Sequence, residues 1–405
     1  MAQSALQYKV LITPLVSKNV YGSEIDVTAD LDISEFVTEK GIGKIKNQID
    51  NGDYEFGIFT FSDITLNMIN YGGKFNDEFS TYSMFKFKRD LAKVKIQFID
   101  TKGNILINFE GIINDEATRQ NNDKGIVKLK VLSFSSIFRK VKVGAGVIVS
   151  GVSFSSAIKT ILNDPDITSL LTFDAAKITV GLDLTVDDGS KLDDRTVQDA
   201  INDLLLVSSS ILFVDDTNTM IVTTRTDESE AVTHSYFAGN DVLGREDVLS
   251  IKNFNNGLHR LFNGIVVNGS ITEDPISANR HGVRQKSLTF DFITNSTNFI
   301  TIGNAILDDF RHPRFEMELK VRTEDSLTVK ILDLITIGFT SVIAPAEGKT
   351  VFPLYGVSKY GSDNYPLVSN PLPIRDNELF RVIGIFEDPK NFTTVLKLRG
   401  TGTTL

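Results

Sequence analysis

The chain has no cysteine in its 405 residues, which excludes disulfides, thiolate metal sites and cysteine nucleophiles together. Histidine is scarce as well. His234, His259, His281 and His312 stand alone, none with a second histidine within a few residues, so each reads as core or surface filling rather than as a metal ligand or general base. No stretch approaches the roughly 18 uncharged apolar residues of a membrane span. The opening MAQSALQYKV lacks the basic and then continuously apolar pattern of a signal peptide. The expectation is cytoplasmic synthesis without export and no stable membrane association.

Catalytic signatures are missing too. There is no Walker-type glycine loop followed by lysine, no dinucleotide fingerprint after a strand, no HExxH and no GxSxG. The nearest approach to a cation loop is Asp183-Leu184-Thr185-Val186-Asp187-Asp188-Gly189, followed by Asp193 and Asp194. A calcium loop needs glycine at its sixth position and a bidentate glutamate at its twelfth, and here those positions hold Asp188 and Asp194. The stretch therefore reads as an acidic, solvated turn. No residue is assigned a catalytic, cofactor-binding or metal-binding role, and the chain is read as a non-enzyme.

What is present is the balance of a folded protein: 41% hydrophobic residues, 23% charged residues and a mean hydropathy of -0.02. The length exceeds what one core supports, so several modules are expected. Residues 1–145 carry 19 Lys+Arg against 18 Asp+Glu and residues 251–405 carry 17 against 16, whereas residues 146–250 carry 6 against 18, a net of -12. Such concentrated acid marks a compositional boundary. It also argues against specific nucleic-acid binding, which needs clustered cations to displace phosphate counterions.

The first third reads as half-buried antiparallel strands. Ile64 to Met68 leads into a turn at Asn70-Tyr71-Gly72-Gly73. Val94, Ile96 and Phe98 alternate with lysines and Gln97, Ile105, Ile107 and Phe109 follow across the turn 101–104, and Val127, Leu129 and Val131 alternate with Lys128 and Lys130. After Gly144-Ala145-Gly146 the pattern changes. A helix is expected from Ser153 through Leu162, and a second from a capping box at Thr196 and Asp199. A hairpin should follow around Asp215-Asp216-Thr217-Asn218. In the last third, Phe299, Ile302, Ile306 and Phe310 imply a helix capped by Ser296. Met317, Leu319 and Val321 imply a strand, and Ser358 to Asn377 should form a long surface loop.

Two distant stretches share a pattern. Ile107-Asn108-Phe109-Glu110-Gly111-Ile112-Ile113 precedes Val127 to Val131 just as Phe380-Arg381-Val382-Ile383-Gly384-Ile385-Phe386 precedes Val395 to Arg399. The repeat predicts two similar barrels with Gly111 and Gly384 in equivalent positions, since an interior strand glycine usually marks a bulge, bend or close approach. At these residues the chain resembles the hub proteins of phage tails and contractile injection machines. The likeness is carried by Thr301 to Arg322, Leu327 to Ile337 and Phe380 to Gly400, with Asp194 to Arg225 resembling the domain such hubs insert between their barrels.

The resemblance implies a mainly β fold with an α+β insert, in which two tail-tube-like β-barrel domains, residues 1–145 and 251–405, the latter with one helix, flank an acidic α+β domain, residues 146–250. It further implies a homotrimeric structural hub of the virion tail or baseplate, made in the host cytoplasm, with six barrels ringing the DNA channel. Tail tube protein, distal-tail or baseplate proteins and tail-tip spike or fibre proteins would be its partners. The alternatives are a distal-tail or fibre-attachment protein in a hexameric ring and a tail-associated cell-wall hydrolase. The hydrolase stays open because paired carboxylates are not recognisable without a fold that sets their separation.

Overall fold

The computed structural model describes residues 7–13, 30–49, 63–76, 92–99, 105–121, 125–215, 217–225, 232–237, 248–326, 328–338 and 378–401. The expected turn at 101–104 and loop at 358–377 lie outside them. The chain divides into two compact units, one of Met1–Asp227, His259–His312 and Phe386–Phe392, the other of Glu228–Leu258, Pro313–Ile385 and Thr393–Leu405.

The first unit begins with a mainly antiparallel sheet. Its principal strands are β1 (Gln7–Thr13), β2 (Val37–Ile42), β3 (Asp63–Ile69), β4 (Lys93–Ile99), β5 (Ile105–Ile113) and β6 (Ile126–Ser133), lying side by side in the order β1-β4-β5-β6-β3-β2. Period-two alternation decides which face is buried. Ile64, Leu66 and Met68 sit opposite Val131, Leu129 and Val127, and with Val94, Ile96, Val10 and Ile12 they form one continuous core. Each such side chain contributes about 1.5–3 kcal/mol by leaving water. Thr65, Asn67, Lys95, Lys128 and Lys130, which alternate with these core residues, stay at least partly solvated, and the Lys130 ammonium pairs with Asp63 while Lys95 pairs with Glu110 at 3.0 Å. After β3, Gly72 and Gly73 take positive φ of 66° and 73°, the left-handed conformation that the sequence required at that turn.

An α+β layer completes this unit. Helix α1 (Phe154–Leu162) is capped by Ser153, whose hydroxyl accepts the Ser156 amide at 3.2 Å. Helix α2 (Val197–Val207) starts with the expected capping box: Thr196 Oγ1 accepts the Asp199 amide at 3.1 Å and donates to Asp199 Oδ2 at 2.7 Å. The hairpin β7 (Ser210–Val214) and β8 (Met220–Thr224) follows where it was expected, with Val214 opposite Met220.

Residues 259–312 belong to the same unit. They form a three-stranded sheet of β11 (Gly264–Val267), β12 (Ser270–Glu273) and β13 (Gln285–Leu288), ordered β12-β11-β13, with helices α3 (Pro275–His281) and α4 (Ser296–Phe310). The helix expected in the last third is α4. Its cap is Asn295 rather than Ser296, with Asn295 Oδ1 accepting the Thr297 amide at 3.0 Å, because an asparagine one residue earlier offers the better-placed oxygen. Its buried stripe of Ile302, Ile306 and Phe310 lies on the helix that packs against β11 and β12.

The second unit holds β9 (His234–Phe237), β10 (Val248–Asn255), β14 (Glu316–Arg322), β15 (Leu334–Gly338) and most of β16 (Glu378–Asp388) and β17 (Thr393–Gly400). Their order is β9-β15-β16-β17-β14-β10. Met317 and Leu319 face Leu398 and Leu396 across β14 and β17, all four buried.

Candidate functional site

Numbered one to six in chain order, and with the short additional strands left aside, the six principal strands of each large sheet run 1-4-5-6-3-2 across the sheet. In both, strand four pairs antiparallel with five, six with three, and three with two. The pair one and four differs, antiparallel in the first sheet and parallel in the second. Among the described residues neither path closes on itself, and in the first the two-residue strand Leu31–Asp32 lies against the outer side of β1. The duplicated pattern read from 107–131 and 380–399 therefore reflects a duplicated strand path.

Both glycines fall on the fifth strand of their sheet, Gly111 on β5 and Gly384 on β16. Gly111 lies inside the ladder, facing Val94 of β4 on one side and Ser133 of β6 on the other. Gly384 lies three residues past Arg381, which already faces Leu334, the first residue of β15.

The acidic loop gives its carboxylates to backbone donors. Asp183 accepts the Ser155 amide at 2.8 Å and its hydroxyl at 2.7 Å. Asp187 Oδ2 accepts the Thr294 and Asn295 amides at 2.7 and 2.8 Å, at the start of α4. Asp188 accepts the Ser190 hydroxyl at 2.6 Å and amide at 3.1 Å, bonds that hold its pKa below the usual range. Asp193 accepts the Gly146 amide at 3.1 Å. These acids cap turns and helix starts, and among the described residues no three His, Asp or Glu side chains gather as a metal cage.

The histidines are scattered. His234 bonds Thr328 Oγ1 at 2.9 Å through Nε2 and Thr233 Oγ1 at 3.0 Å through Nδ1. His259 accepts a bond from Arg260 Nε at 3.3 Å. Burial, then Arg280 and Arg284, push the His281 pKa down, and His312 is half-buried.

The most shifted carboxyl among the described residues is one the sequence did not single out. Burial pushes Glu387 up to about 8, and its Oε2 is shut off from solvent without a hydrogen-bond partner. Residues 386–392 belong to the first unit, where Phe392 lies 6.1 Å from the Tyr8 ring, itself 4.8 Å from Phe98. Burial, Glu387 and Asp388 raise the Tyr8 hydroxyl in turn.

A carboxyl whose folded pKa is about 8 against an ordinary 4.5 gives its full stabilisation below about pH 4.5 and loses it as pH rises to about 8. Urea midpoints of the first unit are expected to fall across that window, and Glu387→Gln is expected to flatten the fall. An unchanged slope in the variant would refute this role.

No protein-family model matches the chain, and no curated protein matches it. Solved structures do. The tail protein from Neisseria meningitidis MC58 aligns over 98% of both chains with a TM-score of 0.57 at 12% identity. The 43 kDa tail protein of prophage MuSo2 from Shewanella oneidensis aligns over 98% of both with 0.52 at 10%. The prophage tail protein gp18 from Listeria monocytogenes EGD-e aligns over 96% of this chain and 94% of its own with 0.51 at 9%. The likeness to phage tail proteins read from the sequence holds at the level of the fold, which is mainly β with curled sheets and small helical parts.

Proposed function

We propose that this chain is a non-enzymatic structural hub of a bacteriophage-type tail or baseplate, assembling as a homotrimeric ring around the DNA channel and joining the tail tube to the tail-tip components. The observation that carries this reading is the strand path 1-4-5-6-3-2 present twice in one chain. Two like sheets per chain let three copies present six like elements, the economical way for threefold symmetry to meet a sixfold tube. Their open ends favour pairing between neighbours into a closed wall, which removes the edge-strand hazard.

In this reading residues 1–145 supply one tube-like barrel, residues 228–258 with 313–405 the other, and residues 146–227 with 259–312 form the α+β domain. That domain's acid keeps it solvated and repels DNA. The partners are the tail tube protein, distal-tail or baseplate proteins, and spike or fibre proteins at the tip.

The test is the copy number and symmetry of this chain in assembled tails, imaged without imposed symmetry. Three copies are expected. Six would overturn the trimer and favour a distal-tail ring. Isolated protein is not a substitute, because the tube that templates the ring is absent.

A further inference from the structure

In the α+β layer of the first unit, Asn163 and residues 168–173 line a cavity of about 480 Å³, within the roughly 300–1,000 Å³ of small-ligand clefts. Its walls are built by backbone bonds. Asn163 closes α1, its amide donating to the Lys159 carbonyl at 3.0 Å. Asp164 then starts the helical turn Pro165–Thr168, its carboxylate accepting the Asp166 amide at 2.9 Å. The far wall is anchored to the hairpin that precedes β8: the Thr172 amide donates to the Asn218 carbonyl at 2.8 Å, and the Thr172 carbonyl accepts the Met220 amide at 3.0 Å. The cleft is therefore formed before any ligand enters, which lowers the ordering cost of binding.

The lining joins hydroxyls and a carboxamide to an apolar floor. Thr168 Oγ1 donates to the Asp164 carbonyl at 3.1 Å and Ser169 Oγ to the Asp166 carbonyl at 2.7 Å, which uses their hydrogens and leaves their lone pairs as acceptors. Asn163 and Thr172 are exposed, and among the described residues neither side chain has a hydrogen-bond partner. The carboxamide thus offers two donors and an acceptor, and the hydroxyl either role. Leu171 is buried, while Leu170 and Phe173 are half-buried. No charged side chain stands among the described lining residues, although residues 146–250 carry 6 Lys+Arg against 18 Asp+Glu. An anion entering here meets surrounding acid and no cation, and a cation gives up water without gaining a carboxylate. A neutral ligand with many hydroxyls and one apolar face avoids both costs.

We propose that this cavity binds a neutral saccharide, seating one or two of its pyranose rings. The C–H face of a pyranose is apolar and slightly positive, which suits the negative face of an aromatic ring such as Phe173. Its hydroxyls donate to Thr168 and Ser169 and exchange bonds with Asn163 and Thr172, a set of neutral groups that matches an uncharged polyol. A nucleobase also stacks on an aromatic ring, but a nucleotide or nucleic acid brings phosphates into an acidic domain with no cation in the cleft to receive them. All the lining residues belong to one unit and none requires a ring of subunits, so this proposal and the trimer fail independently.

Saturation-transfer difference NMR of the full chain with maltotriose and with tri-N-acetylchitotriose is the test. Saturable transfer to the ring C–H protons of at least one trisaccharide is expected, with a dissociation constant on the order of 1 mM, because bonds that replace water leave a small net gain. Asn163→Ala/Thr172→Val should weaken it roughly tenfold by removing two neutral hydrogen-bonding groups. Both positions are exposed and valine retains the shape of threonine, so an unchanged melting midpoint is expected to accompany the loss. Phe173→Leu keeps apolar bulk but removes the ring, and should weaken binding about fivefold. Absence of saturable transfer from both trisaccharides, indifference to both variants, displacement of the trisaccharide by adenosine at equal concentration, or equal transfer to the anionic trimer of galacturonic acid would each overturn the proposal.

Discussion

Replacing Gly111 with alanine is expected to destabilise the first unit by about 3 kcal/mol, a fall of roughly 6–12 °C in its melting transition. A Cβ at this position would lie 2.3 Å from the Leu132 carbonyl oxygen and 3.0 Å from both its carbon and Val131 Cγ1. The nearest obstacle is backbone, so no rotamer change relieves it. Strand β6 must move away at the point where Gly111 faces Ser133, and the same strand carries Val127, Leu129 and Val131 into the core. A shift there disturbs the pairing of β6 with both β5 and β3. Urea denaturation followed by far-UV circular dichroism checks it, and a Gly111→Ala midpoint equal to wild type would show that the sheet accommodates the methyl group.

Asp309→Ala is expected to cost about 3–5 kcal/mol, the range for removing one member of a buried ion pair. Arg225 Nη1 lies 3.9 Å from Asp309 Oδ2, with side-chain exposures of 0% and 2%. The Arg225 Nε donates to the Ser210 carbonyl at 3.2 Å and its amide to the Ser209 carbonyl at 3.0 Å, so the guanidinium cannot simply swing into water when its carboxylate is lost. The pair links the end of β8 to the last turn of α4, elements 84 residues apart by their numbering. Arg225→Met/Asp309→Leu should therefore be markedly less destabilised than Asp309→Ala alone, since no uncompensated charge is buried. Additive costs in that double-mutant cycle would refute the coupling.

Much of the local structure was legible in the sequence. The alternation in 64–68, 93–98 and 127–131, the caps at Ser153 and Thr196, the hairpin around Asp215 and the glycine turn at Gly72 all follow from interactions within a few residues. Period-two and period-3.6 patterns and capping oxygens record exactly those interactions. The candidate surfaces were not legible in the same way. Nothing near Glu387 in the sequence announces that its carboxyl lies with Tyr8 in one unit.

The sequence by itself thus determined where strands and helices form, which faces are apolar, and that two stretches share a pattern. Only the tertiary structure decided the order 1-4-5-6-3-2, the placing of residues 259–312 with the first unit, and the use of Asp187 to hold the start of α4 from 107 residues away. Strand order and distant caps depend on which surfaces cover one another once loops have closed. Loop-closure entropy rises only slowly with length, so partners far apart in the chain compete nearly equally with near ones. Complementary packing, which no local pattern encodes, selects among them.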